Sequence, residues 1–100
     1  MNRSEPRCIP ADHPALAGHF PGDPIVPGVV LLEDIMQALA ETGGDYRLRG
    51  IPLVKFIAPL KPGQAFTLEW TFFTEGQVRF RCLFADGRLI AQGQLEVSVT

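Results

Sequence analysis

The apolar residues change their period once along the chain. Between Gly28 and about Thr42, the residues Val29, Leu32, Ile35, Met36, Leu39 and Ala40 recur at three- and four-residue spacing, the repeat of an α-helix. Val30 and Leu31 widen this apolar surface almost all round, which predicts a helix enveloped by the rest of the protein. Gly43-Gly44 ends it. From there the period is two. Ile51–Ala58 reads as a strand, followed by a turn at Lys61-Pro62-Gly63. Over 64–74, Phe66, Leu68, Trp70 and Phe72 share one face, with Thr67, Glu69 and Thr71 opposite. Glu75-Gly76 and Asp86-Gly87 are hairpin signals that separate strands over 77–85 and 88–99. Ahead of the helix, residues 5–10 form a short strand and 11–27 a Pro/Gly loop.

One enveloped helix followed by an antiparallel meander leaves the apolar face of the sheet in need of a cover. A sheet wrapped round that single central helix satisfies both elements. This is an α+β arrangement, the hot-dog fold. With 100 residues, no repeat and no linker, residues 1–100 make one domain, small enough that an oligomer burying more surface is expected.

Composition narrows the function classes. Hydrophobic residues make up 46% and charged residues 20%, a globular balance. A net charge of −2 and a pI near 5.6 give no electrostatic reason for a nucleic-acid partner. No apolar run reaches the roughly 18 residues of a membrane span, and MNRSEPRC lacks a signal-peptide core, so a cytoplasmic protein off the membrane is expected. Cys8 and Cys82 have no metal-ligand spacing and read as two reduced thiols. Zincin, phosphate-loop, dinucleotide and nucleophile-elbow motifs are absent, and Ser4 and Ser98 have no partner, so neither a metal, a cofactor nor a covalent intermediate is called for.

The stretch GHFPGDPIVPGVVLLED, residues 18 to 34, concentrates the candidate chemistry. Pro27 and Gly28 carry no side-chain oxygen to cap the first N–H groups of the helix. Those donors could receive a carbonyl oxygen that develops negative charge; the alternative is that water or Asp23 caps them. Glu33 and Gln37 lie four apart on one stripe of the helix, extended by Glu41 and flanked by Asp34. They are either a solvated polar edge or, with Glu33 set among Val30, Leu32 and Met36, an enclosed carboxyl suited to general acid work. His19 sits in a loop stiffened by prolines, which holds its side chain at low entropic cost. His13, in the looser ADHP segment, reads as a surface residue. A base, an acid and an oxyanion site together suit proton abstraction next to a carbonyl, coupled to loss of a hydroxyl.

GHFPGDPIVPGVVLLEDIMQA resembles the signature of the 3-hydroxyacyl-(acyl-carrier-protein) dehydratases of bacterial fatty acid synthesis. That family has a GHFPG loop, then P-I-x-P-G, then an acid in the central helix; here Gly28 and Glu33 fall at the matching distances after His19. Val54-Lys55-Phe56 with Pro59-Leu60-Lys61-Pro62-Gly63 resembles the family's strand running into a PVxPGD turn, with Lys55 for arginine and Gln64 for aspartate. The chain is shorter before the GHFPG loop and between the helix and Val54. In this it looks more like the short dehydratases of aryl-polyene and xanthomonadin-type pigment clusters.

The resemblance implies that His19 removes the α-proton and that Glu33 protonates or orients the departing hydroxyl. It implies that the Gly28 N–H, next to Val29, binds the thioester carbonyl, and that Gln37 fixes Glu33 or lines the tunnel. It further implies a homodimer or larger homo-oligomer with the site shared between subunits. The implied partner is an acyl carrier protein bearing a phosphopantetheine-linked acyl chain. Arg47, Arg49, Lys55 and Lys61 are candidates for a basic docking patch, or simply scattered surface charge. Two other readings stay open: a thioesterase on the same fold, and a non-catalytic subunit that binds an acyl carrier.

Overall fold

The computed structural model describes residues 2–14 and 25–99. The elements run β1 (Asn2–Cys8), α1 (Gly28–Ala40), β2 (Tyr46–Phe56), β3 (Ala65–Thr74), β4 (Gln77–Leu83) and β5 (Leu89–Val99). The five strands form one antiparallel sheet in the order β1-β3-β4-β5-β2, with α1 against one face. The expected hot-dog arrangement is therefore the one found. The meander β3–β4–β5 turns at Glu75-Gly76 and Asp86-Gly87, where Gly76 and Gly87 take φ of +74° and +88°.

The last three strands lie close to where period two puts them. Phe66, Leu68, Trp70, Val78, Phe80, Cys82, Ala91, Leu95 and Val97 are all buried toward the helix. They meet Val30, Leu31, Ile35, Ala38 and Leu39 from α1, with Ile9, Val26 and Leu60 closing the open end. Burying such side chains stabilises by about 1.5–3 kcal/mol each before the cost of ordering them.

The two edge strands and the helix depart from the sequence reading. β1 starts earlier, at Asn2, and ends at Cys8 rather than running to residue 10. β2 begins at Tyr46, five residues ahead of the expected Ile51, and stops at Phe56. Most of β2 is exposed and its register shifts twice, between Leu48 and Gly50 and between Gly50 and Leu53. These irregularities accommodate Pro52 and obscure the alternation ahead of Ile51, the residue at which the sequence reading begins the strand. The helix ends at Ala40 rather than Thr42, whose Oγ1 instead donates to Leu39 O at 2.6 Å. Among the described residues it is covered on one side: Val29 is 63% exposed, and Glu33, Gln37 and Ala40 are exposed with it. Among the described residues, the sheet covers the apolar side of the helix, and the expected envelopment is found on that side.

Candidate active site

The turn from Pro59 to Gly63 fixes both segments that flank the helix start. Val26 N–H donates to Leu60 O at 2.8 Å, and Gly63 N–H donates to Ile9 O at 2.7 Å. Pro27 then serves as N-cap with φ −61° and ψ 148°, and no side-chain cap bond forms. The Val30 and Leu31 N–H groups donate to Pro27 O at 3.0 and 3.2 Å, so the helical ladder starts there and the Gly28 and Val29 amides stand ahead of it. The Phe56 ring lies over Gly28; a Cβ on that residue would come within 2.6 Å of Phe56 Cζ. An apolar cleft of about 260 Å³ opens beside Gly28, walled by Leu31, Phe56, Ile57, Pro59 and Ile90.

A second cleft, of about 240 Å³, lies along the helix and is lined by Ile9, Pro10, His13, Glu33, Asp34 and Gln37, with Val30 at its base. Residues step about 100° round a helix, so Val29, Glu33 and Gln37 align on the stripe away from the sheet. The expected Glu33–Gln37 stripe is present. Of the two readings of Glu33, the solvated edge is the one seen in the single chain: Glu33 is exposed, Val30 turns into the core, and Leu32 and Met36 are half-buried.

His13 is half-buried and lines the Glu33 cleft, where the sequence reading had put it on the surface. A tight turn, closed by the His13 N–H donating to Pro10 O at 3.1 Å, carries it there. The D-H-P segment between two prolines was the available signal. His19 and the loop around it lie outside the described residues. Gly28 and Glu33 line separate clefts, so the described residues do not assemble them in one cavity.

Asp34, beside the stripe, and Glu41, at its end, are held by Arg7 of β1. The guanidinium forms a two-pronged contact with Asp34, Nε to Oδ2 at 2.9 Å and Nη2 to Oδ1 at 2.8 Å, and Nη1 reaches Glu41 Oε1 at 2.7 Å. The hydrogen bond to Asp34 leads the causes that push the Arg7 pKa upward, so this cation stays charged throughout. Beneath it, burial first and the Asp34 charge second push the Cys82 thiol up to about 12. Cys8 is exposed, and both cysteines are free.

Of the four proposed docking cations, Arg47, Arg49 and Lys55 are exposed along β2 and Lys61 is exposed in the turn that follows. Arg47 and Lys55 are eight residues apart, about 25 Å along a strand, which makes a line rather than a patch. Among the described residues no group of three or more His, Cys, Asp or Glu could hold a metal ion, and no helix is long and apolar enough to cross a membrane.

The 3-hydroxyacyl-(acyl-carrier-protein) dehydratase FabZ of Chlamydia trachomatis is 35% identical over an alignment spanning 87% of this chain. The chain matches 65% of that relative's length, and 66% of the Klebsiella pneumoniae FabZ that is 32% identical. Among solved structures, the dehydratase heterocomplex ApeI:P from Xenorhabdus doucetiae superposes with a TM-score of 0.78 at 24% identity, covering 96% of this chain and 86% of that one. The (R)-hydratase from A. caviae involved in PHA biosynthesis gives 0.74 at 19% identity, covering 100% and 95%. These two likenesses establish the hot-dog fold. The sequence profile described as ApeI dehydratase matches residues 5–94, nearly the whole sheet together with the helix, and so the chain belongs to the ApeI-like dehydratase family.

Proposed function

We propose that this protein dehydrates (3R)-hydroxyacyl thioesters carried on acyl carrier protein to trans-2-enoyl thioesters, in fatty acid or polyene-type biosynthesis. The match to the dehydratase family over residues 5–94 carries this reading. On it, His19 takes the proton from the carbon next to the thioester carbonyl. The carbon–hydrogen electron pair becomes the new double bond as the C3 hydroxyl leaves, protonated by Glu33, as water. His19 is left protonated and Glu33 ionised, and solvent resets both. The charge that builds on the carbonyl oxygen is received by the Gly28 N–H at the helix start, where the Pro27 N-cap brings no side-chain oxygen to the donor. Val29 lines that position and Gln37 holds Glu33 from one turn further along.

The unit we propose is a homodimer. β2 is an eleven-residue edge strand, and Leu48, Ile51, Leu53, Phe56, Ile57 and Val29 present large exposed apolar side chains on it and beside it. Pairing of two such edges covers them and sets the Gly28 cleft, walled by Phe56 and Ile57, at the seam. An acyl carrier protein approaching along this edge would meet Arg47, Arg49 and Lys55.

The intact mass of a (3R)-hydroxyacyl carrier protein after incubation tests the reaction class, using short, medium and long acyl chains. Loss of one water is expected, and His19→Ala and Glu33→Gln each reduce it to a trace seen only in prolonged incubation. Retention of activity within about tenfold in both variants, about 1.4 kcal/mol of barrier, would remove them from the proposed roles. Release of free carrier thiol without enoyl product would mark a thioesterase, and binding without turnover a non-catalytic subunit.

A further inference from the structure

Arg7 forms none of the walls of either cleft, yet it contacts three acidic side chains. Its register partner on β3 is Phe66, which is buried, so Arg7 rises from the face of β1 that looks toward the helix. Beyond the bonds to Asp34 Oδ1 and Oδ2 and to Glu41, Nη2 also reaches the Asp34 backbone carbonyl at 3.5 Å, and Glu5 Oε2 lies 3.6 Å from Nη1. The Arg7 and Asp34 side chains are only 12% and 15% exposed. At that burial a fork-shaped ion pair fixes geometry in a way that a solvated pair does not.

The geometry of this clamp has a direct consequence for Glu33. Asp34 and Glu41 are seven residues apart, two turns along one stripe, so the single planar guanidinium grips the helix at points about 10 Å apart. The other helix side chains packed into the core are Val30, Leu31, Ile35, Ala38 and Leu39, with Leu32 and Met36 partly buried against them, and all are apolar and without directional preference. Apolar packing alone lets a helix roll slightly, whereas a helix gripped at two points from a strand does not. Glu33 immediately precedes Asp34. A roll of about 10° carries a carboxylate lying about 7 Å from the axis through about 1 Å, a displacement that can cost about a hundredfold in rate.

We infer that Arg7 and Asp34 are a positioning pair for Glu33, fixing the roll of α1 so that the Glu33 carboxyl meets the leaving hydroxyl. The inference rests on the proposed role of Glu33. Arg7→Lys keeps the charge but loses the fork. It lowers kcat about tenfold and leaves KM within about threefold. Asp34→Asn does the same, and the double variant loses no more than either alone, as expected of two groups acting as one unit. Arg7→Met/Asp34→Leu replaces the pair by apolar groups of similar size and so retains the fold, with Tm close to wild type, while kcat still falls.

The deciding measurement puts Arg7→Lys into the Glu33→Gln background and follows the residual turnover by carrier mass in prolonged incubation. No further loss there means that the clamp acts through Glu33. An equal loss in both backgrounds, a change confined to KM, or a fall in rate that tracks the fall in folded fraction overturns the positioning role. Wild-type turnover by Glu33→Gln alone overturns the acid assignment and the clamp's purpose together. That result is distinct from failure of the clamp alone, in which Glu33→Gln falls to a trace and Arg7→Lys keeps the wild-type kcat.

Discussion

Two cysteines in one small chain show how far the surroundings of a residue decide its chemistry. Cys8 ends an edge strand and is exposed, while Cys82 lies near the end of β4, on its buried face, with no accessible surface. Burial of Cys82 disfavours the thiolate, with the charge of Asp34 adding to the effect, and raises the pKa from 9.0 to about 12. At pH 8, iodoacetamide should therefore add one alkyl group to the native protein and two after denaturation, as read by intact mass; rapid double labelling of the native state would contradict this burial. The same shift links stability to pH. The unfolded chain releases the Cys82 proton above about 9, and the folded chain holds it until about 12. The unfolded state then binds fewer protons across that window, so the contribution is complete below pH 9 and is lost as pH rises toward 12. Urea midpoints measured from pH 8.5 to 11 should fall more steeply for the wild type than for Cys82→Ala, whose smaller side chain lowers the whole curve without adding slope.

At the scale of elements, the contact between β2 and β5 is the tightest constraint on the sheet. Gly93 pairs with Val54, and a Cβ at this position would run into the Leu53 carbonyl oxygen and come within 2.9 Å of Val54 Cα. Both obstacles are backbone, so Gly93→Ala must push the strands apart. A loss of about 3 kcal/mol is expected, at the top of the overpacking range. Gly50→Ala is the control: the nearest atom is 3.8 Å from its built Cβ, and its effect should stay within about 0.5 kcal/mol. Equal urea midpoints for the two variants would show that β2 can draw back freely. This contact also explains what was legible in the sequence. β3, β4 and β5 are buried on one face, so Leu68, Phe80 and Leu95 had to alternate with polar residues, and the period revealed them. β2 is an edge bent by two register shifts, and with Arg47 and Arg49 in its first half the period is lost there, so only the part from Ile51 onward reads as a strand. Glu33 and Gln37 were legible as a stripe because four-residue spacing needs only the helix. Arg7, Asp34 and His13 form their contacts across 27 or more residues or through a tight turn, and no local pattern encodes those.

For the whole molecule, the argument turns on what one chain leaves uncovered. The open side of α1 and the edge of β2 are parts of the same problem, since Val29 on the helix and Phe56 on the strand flank the same Gly28. A strand of eleven residues extends about 35 Å, and its outer N–H and C=O groups remain a template for another strand. Proteins usually blunt such edges with charge, and here Arg47, Arg49 and Lys55 supply some, but Leu48, Ile51 and Leu53 lie among them. In the proposed dimer the apolar residues meet their counterparts while the cations flank the seam. Leu48→Glu/Ile51→Glu places four carboxylates in a two-fold interface, where like charges facing each other cost several kcal/mol. Sedimentation of the wild type should give the mass of two chains and that of the variant one chain, with far-UV circular dichroism unchanged because neither residue belongs to the buried core. If the catalytic groups come together only across the pair, dehydration falls at least a hundredfold with the loss of the dimer. It should return when the variant is assayed at concentrations high enough to restore association. A monomeric variant with full activity would place the entire site within one chain, and the uncovered stripe of Val29, Glu33 and Gln37 would then need only the loop that carries His19 to complete it.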